Sequence, residues 1–131
     1  MCIFCKIVNS EIPCYKVYED DNFLAFLDIS QATIGHTLVI PKEHYKNIYE
    51  LPENIDIFKV VINLSKQIKK ATGASGINIL NNNELAAGQT VEHFHIHIIP
   101  RYENDNFTIN FPNNKLSQEE FNELLSKIKN A

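Results

Sequence analysis

Between His93 and Ile98 every second residue is a histidine and every other one is apolar; the run HFHIHI is closed by Ile99 and Pro100. A period of two is the pattern of a strand with one polar and one apolar face. It puts His93, His95 and His97 on one side and turns Phe94, Ile96 and Ile98 toward a core. Same-face neighbours on a strand lie about 6.5–7 Å apart, so the three imidazoles line a single site. Packing has no use for such a row. Two chemistries are open to it. Imidazoles at i and i+2 can share one metal ion, or a neutral imidazole can act as a nucleophile while its neighbour handles a proton.

Other residues of chemical type are scattered. Cys2-Ile3-Phe4-Cys5 has the spacing of half a zinc site or of a redox pair. A redox pair normally follows a strand in a βαβ unit, and nothing of that kind precedes residue 2. Cys14 stands alone and reads as a small, half-buried residue. Asp28 closes an apolar run, where an aspartate by itself reads as a cap on turn N–H groups. His36 heads another apolar run, and His44 lies in the loop segment PKEHY. Gly88-Gln89-Thr90, directly before the histidines, is either an ordinary turn or a set of backbone N–H groups presented to an anion. No lysine-bearing phosphate loop and no carboxylate cluster for magnesium occurs, so the histidines must carry any chemistry on phosphate.

Positioning these residues falls to the elements between them. Lys16–Glu19 and Phe23–Leu27 read as two strands joined by the polar turn Asp20-Asp21-Asn22. Thr37–Ile40 reads as a third strand stopped by Pro41, and Gly76–Asn81 as a fourth. From about Pro52 to Thr72 the apolar period changes to that of a helix with a broad apolar face, ending at Gly73. Ile3, Phe4, Ile7 and Val8 predict a short helix ending near Ile12-Pro13. Ser117-Gln118-Glu119-Glu120 is a capping box opening a last helix over about 117–129, with Leu116 and Phe121 placed as its staple and Phe121, Leu124, Leu125 and Ile128 as its stripe.

At 131 residues and 44% apolar content the chain is expected to form one domain, 1–131, with a core that needs no disulfides. Twelve basic against sixteen acidic side chains, net −4, exclude a general attraction to nucleic acid or to an anionic membrane. No apolar run approaches a membrane span and the N-terminus lacks a signal-peptide layout, so a cytoplasmic location is expected. Three cysteines in a reducing compartment then favour metal or thiol chemistry over disulfides.

The assembled motifs resemble the histidine triad (HIT) nucleotide-binding family, whose mark is three histidines alternating with apolar residues. Here that mark is HFHIHII, preceded by GQTVE and followed by PR, and the resemblance extends over IFCKIVNSEIP, KVYEDDNFLAFLDIS and GHTLVIPKEH. It implies an α+β fold, HIT-like, with a sheet of about five antiparallel strands, one long helix, a short N-terminal helix and a C-terminal helix. It implies a homodimer that binds purine nucleotides and cleaves at the α-phosphorus through a nucleotidyl-histidine intermediate. By that resemblance His95 is the nucleophile, His97 meets the phosphate and leaving group, Thr90 or His97 relays a proton, and His36 supports them. Gly88, Gln89 and Thr90 hold phosphate oxygens, Asp28 the ribose, with Asn82 nearby. Ile3, Phe4, Ile7, Phe26 and Ile29 enclose the base. A zinc-containing branch assigns Cys2, Cys5, His44 and His93 to one structural Zn²⁺ per chain, which leaves two triad histidines for substrate. The expected substrate is a phosphoramidate of the adenosine monophosphoramidate type. A dinucleoside polyphosphate hydrolase is the alternative within enzymes; a nucleotide-binding partner protein with incidental catalysis is the alternative outside them.

Overall fold

Two apolar layers, one on each side of a single sheet, account for most of the hydrophobic pattern. The computed structural model describes residues 1–131. Strands β1 (Lys16–Glu19), β2 (Phe23–Leu27), β3 (Thr37–Pro41), β4 (Gly76–Leu80) and β5 (Ile96–Arg101) pair antiparallel throughout, in the order β1-β2-β3-β5-β4. Helix α2 (Ile57–Thr72) covers one face with Ile57, Val60, Val61, Leu64 and Ile68, set against Phe23, Ala25, Val39, Phe94, Ile96 and Ile98. The short helix α1 (Ile3–Val8) covers part of the other, where Phe4 packs with Leu24, Phe26, Leu38 and Ile40. Because both faces are covered, neighbouring residues of β2 and β3 are buried alike, as continuous apolar runs require. This is the expected α+β architecture. No helix is long and apolar enough to cross a membrane.

Three boundaries differ from the sequence expectation, the first being the end of α1, which stops at Val8 and not near Ile12-Pro13, with Ser10 turning left-handed at φ 61° just beyond it. Helix α2 starts at Ile57 and not near Pro52, because Pro52–Ile55 closes a turn of its own, with the Ile55 N–H on the Pro52 carbonyl at 3.1 Å. The histidine run enters the ladder only at Ile96. His93–His95 are tied down instead by the Phe94 N–H on the Tyr45 carbonyl and by the Asn81 amide on the His95 carbonyl. The facing of the side chains is nevertheless as the alternation predicts: Phe94, Ile96 and Ile98 toward α2, the histidines away from it.

The last helix, α3 (Gln118–Lys129), has the capping box in full: Ser117 Oγ accepts from the Glu120 N–H at 3.1 Å, and Glu120 Oε1 from the Ser117 N–H at 3.0 Å. Its apolar stripe of Phe121, Leu124, Leu125 and Ile128 stays exposed. Local capping specifies the helix, while both faces of the sheet already have their own covering.

Candidate active site

Helix α1 brings the N-terminus across to the histidines. Cys2 is its N-cap, the thiol accepting the Cys5 N–H at 3.3 Å. Phe4, two residues on, packs its ring near-perpendicular to His95 (5.2 Å between centroids, 87° between planes) and to His93 (5.8 Å, 74°). A cleft of about 360 Å³ opens beside it, lined by Ile3, Phe4, Ile7, Phe26, Asp28, Ile29, Thr90, His95 and His97 among others. Its walls are mostly apolar and its polar groups gather at one end, the usual construction of a small-molecule site.

The protonation of each triad histidine follows from its partner. A carbonyl only accepts, so His95 Nδ1, 2.8 Å from the His93 carbonyl, carries the proton and Nε2 is left with a bare lone pair. A backbone N–H only donates, so His36 Nδ1, 3.1 Å from the Ala32 nitrogen, has no proton. His36 Nε2–H then donates to His97 Nδ1 at 2.9 Å, and the remaining proton of His97 sits on its Nε2. Burial pushes the His36, His93 and His95 imidazoles below their ordinary range and takes His97, also beset by its two histidine neighbours, down to about 4. All stand neutral at pH 7. The site therefore sets an uncharged lone pair on His95 Nε2 beside an N–H donor on His97, with ring centroids 4.9 Å apart.

Asp28 lies just past β2. One carboxylate oxygen caps the following turn, accepting the Ser30 N–H at 2.8 Å, and the other lies 3.7 Å from His36 Nε2. Asp28 therefore caps a turn, as its place in the sequence suggests, and also lines the cleft.

His93 faces a different group. Its Nε2–H donates to the Pro41 carbonyl at 2.8 Å, which frees Nδ1 as a ligand atom. That atom, His44 Nδ1 and the two sulfurs form a near-regular tetrahedron, whose six edges are Cys2–Cys5 3.3 Å, Cys2–His44 3.5 Å, Cys2–His93 3.3 Å, Cys5–His44 3.3 Å, Cys5–His93 3.6 Å and His44–His93 3.1 Å. Tetrahedral zinc with ordinary Zn–S and Zn–N bonds requires edges of about 3.3–3.8 Å. Residues 2, 5, 44 and 93 could thus hold such an ion with an expansion of a few tenths of an ångström.

The loop before the histidines works otherwise than its sequence implies. The N–H groups of Gly88 and Gln89 bond to the Leu85 and Glu84 carbonyls, so neither is free for an anion. The Gln89 side chain is turned inward: its Oε1 accepts the Glu84 N–H, and its Nε2 donates to the Lys46 and Val91 carbonyls. Only Thr90 of the three lines the cleft, and Asn82 rests against Gly88 outside it. An unforeseen contributor is Asn81, whose amide holds the His95 carbonyl at 2.9 Å. The asparagine run at 81–83 was the signal available for it.

Comparison with known proteins agrees with this geometry. The HIT domain model matches residues 9–104. The chain is 46% identical to an uncharacterised HIT-like protein of Methanocaldococcus jannaschii, over 98% of this chain and 99% of the relative. It is 44% identical to the adenosine 5′-monophosphoramidase of Schizosaccharomyces pombe, over 98% of each. A HIT family protein of known structure from Bacillus anthracis superposes with a TM-score of 0.91 at 51% identity, covering 98% of this chain and 95% of that one. With a histidine row that alternates into the inner strand β5 and divides between two groups of side chains, the chain belongs to the HIT domain family.

Proposed function

We propose that the protein hydrolyses purine nucleoside phosphoramidates of the adenosine monophosphoramidate type through a nucleotidyl-His95 intermediate. The observation carrying this reading is the His95 tautomer: with Nδ1–H held by the His93 carbonyl, Nε2 is a neutral nucleophile at the polar end of an apolar cleft. The relatives named as adenosine 5′-monophosphoramidases in two yeasts, 44% and 40% identical, support the choice of substrate. Phe4, Ile7 and Phe26 offer the base its apolar walls, and Asp28 offers the ribose hydroxyls an acceptor. His95 Nε2 attacks the α-phosphorus while the phosphorus–nitrogen bond breaks. The leaving nitrogen takes the bond's electron pair and the proton from His97 Nε2, and the negative charge left on the hydrogen-bonded His97–His36 pair is balanced by the nucleotidyl-imidazolium formed on His95 in the same step. Water then opens the phosphohistidine, giving its proton to His97 and its hydroxyl to phosphorus, so that both imidazoles return to their starting state. Thr90, which lines the cleft, is the residue we assign to a phosphate oxygen.

Cys2, Cys5, His44 and His93 are the residues that would hold one zinc ion, closed to substrate and structural in character. We also assign a homodimer to the face made by α2 and the edge strand β4, since Phe58 and Ile62 of the helix and Ile79 of the strand are exposed together. Light scattering should give twice the chain mass.

The test is rapid quenching of adenosine 5′-phosphoramidate turnover with peptide mapping, alongside a dinucleoside polyphosphate. An acid-labile adenylyl group on His95 is expected. An adduct elsewhere, or faster cleavage of the dinucleotide, would overturn the reading.

A further inference from the structure

Ile29 to Gly35 link the two residues that flank the catalytic histidines, Asp28 and His36, and one exposed side chain closes this loop. Gln31 spends its whole amide on backbone: Nε2 donates to the Asp28 carbonyl and, at 2.8 Å, to the His36 carbonyl, while Oε1 accepts the Gly35 N–H at 2.7 Å. The amide's orientation is set by its partners, because Gly35 can only donate and the two carbonyls can only accept. On its far side the loop is pinned to the end of β5 by Thr33 Oγ1 on the Pro100 carbonyl (2.6 Å) and by the Tyr102 hydroxyl on the Ile34 carbonyl. Gly35 turns there at φ +101°, where a Cβ would come within 3.0 Å of Pro100 and Thr72.

The closure has a chemical consequence. Only with the loop folded back does the Ala32 N–H reach His36 Nδ1, at 3.1 Å. That bond decides which nitrogen of His36 bears the proton, His36 Nε2–H decides the same for His97, and His97 Nε2–H is left facing the leaving group. We propose that Gln31 is a positioning residue, which by closing the Asp28–His36 loop fixes the tautomers of His36 and His97 and so the proton delivered to the leaving nitrogen. The last step of this chain rests on the phosphoramidate reading above; the first steps do not.

The experiment compares the parent with Gln31→Ala and Gln31→Glu. Because Gln31 is exposed, neither change removes a core contact. Long-range proton–nitrogen correlation spectra of the imidazoles read the tautomers directly. The parent should show His36 with Nδ1 unprotonated, and Gln31→Ala should move both His36 nitrogens toward the averaged values of exchanging tautomers. In turnover, Gln31→Ala should lower kcat on an alkylamine phosphoramidate roughly 10- to 100-fold with KM changed less than about threefold, a fraction of what a general acid supplies. On a nucleotide aryl ester whose phenolate leaves without a proton, the loss should stay under about threefold. Gln31→Glu keeps the acceptor for Gly35 but lacks both donors, so it should behave as the alanine variant does. An unchanged His36 spectrum in Gln31→Ala, equal losses on both substrates, or parental rates in Gln31→Glu would each overturn the proposal. A parent that turns over no phosphoramidate would defeat the hydrolase reading alone, and the His36 spectrum would still decide the role of Gln31.

Discussion

Removing the metal that we assign to Cys2, Cys5, His44 and His93 should loosen the chain well beyond its N-terminus. The ligands lie far apart in sequence, 42 residues from Cys2 to His44 and 49 from His44 to His93. A cross-link closing a loop of that length removes about 4 kcal/mol of denatured-state entropy, so the two loops set a ceiling of about 8 kcal/mol. Zinc held by cysteines and histidines of the unfolded chain lowers that figure. Even a third of the ceiling, about 2.5 kcal/mol, shifts the melting temperature by roughly 5–10 °C in a chain of this size. Phe4 adds to the effect, since α1 carries both its ring and the two cysteines against the sheet. Calorimetry with and without a strong chelator measures the shift, and elemental analysis confirms that zinc has left. Cys2→Ser should melt low from the start and respond little to chelator. Equal melting temperatures in the loaded protein, the stripped protein and Cys2→Ser would refute the reasoning, because a tie between residues 2, 44 and 93 cannot be lost without cost.

Three further outcomes are expected. His95→Ala should reduce kcat at least about 10³-fold while adenosine monophosphate still binds, the mark of a group that acts in the transition state; rates and titration calorimetry separate the two. Asp28→Asn should weaken adenosine binding by about 1.5–3 kcal/mol through loss of a charged acceptor for the ribose, and unchanged affinity by calorimetry would place the ribose elsewhere. Stability should fall as pH drops from about 6.5 to about 4. In that window unfolded histidine binds a proton that folded His97, with its pKa held near 4, refuses, so protons favour the unfolded chain. Urea midpoints across this range measure the slope, and His97→Gln should flatten it.

Much of this protein is local and was therefore legible. Alternation from His93 to Ile98 expresses the two-residue period of extended chain, so the facing of the histidines followed without any knowledge of the ladder. The capping box at Ser117 and the left-handed stop at Gly73 depend only on neighbouring backbone, and both stand where the residues put them. The polar turn at Asp20 does too, its carboxylate taking the Asn22 and Phe23 N–H groups at 2.7 Å.

What remained hidden depends on partners distant in sequence. Whether His93 faces metal or substrate, which spacing alone left open and only the family resemblance assigned, turns on its Nε2 meeting the Pro41 carbonyl and its Nδ1 meeting Cys2, Cys5 and His44, none of which is near it in the chain. Gln89 sits in a segment that looks built for an anion, yet its amide closes its own loop, because buried amides must satisfy every donor and acceptor. Gln31 carries no motif and Asn81 only an asparagine run; their importance lies in which backbone groups they reach. Even the proton on His97 was a tertiary decision, passed from the Ala32 N–H through His36 across 61 residues of sequence. Residue types and spacing determined which groups could do chemistry here, and the fold decided which nitrogen of each histidine is free to do it, since a tautomer is set by the hydrogen bond on the opposite side of the ring.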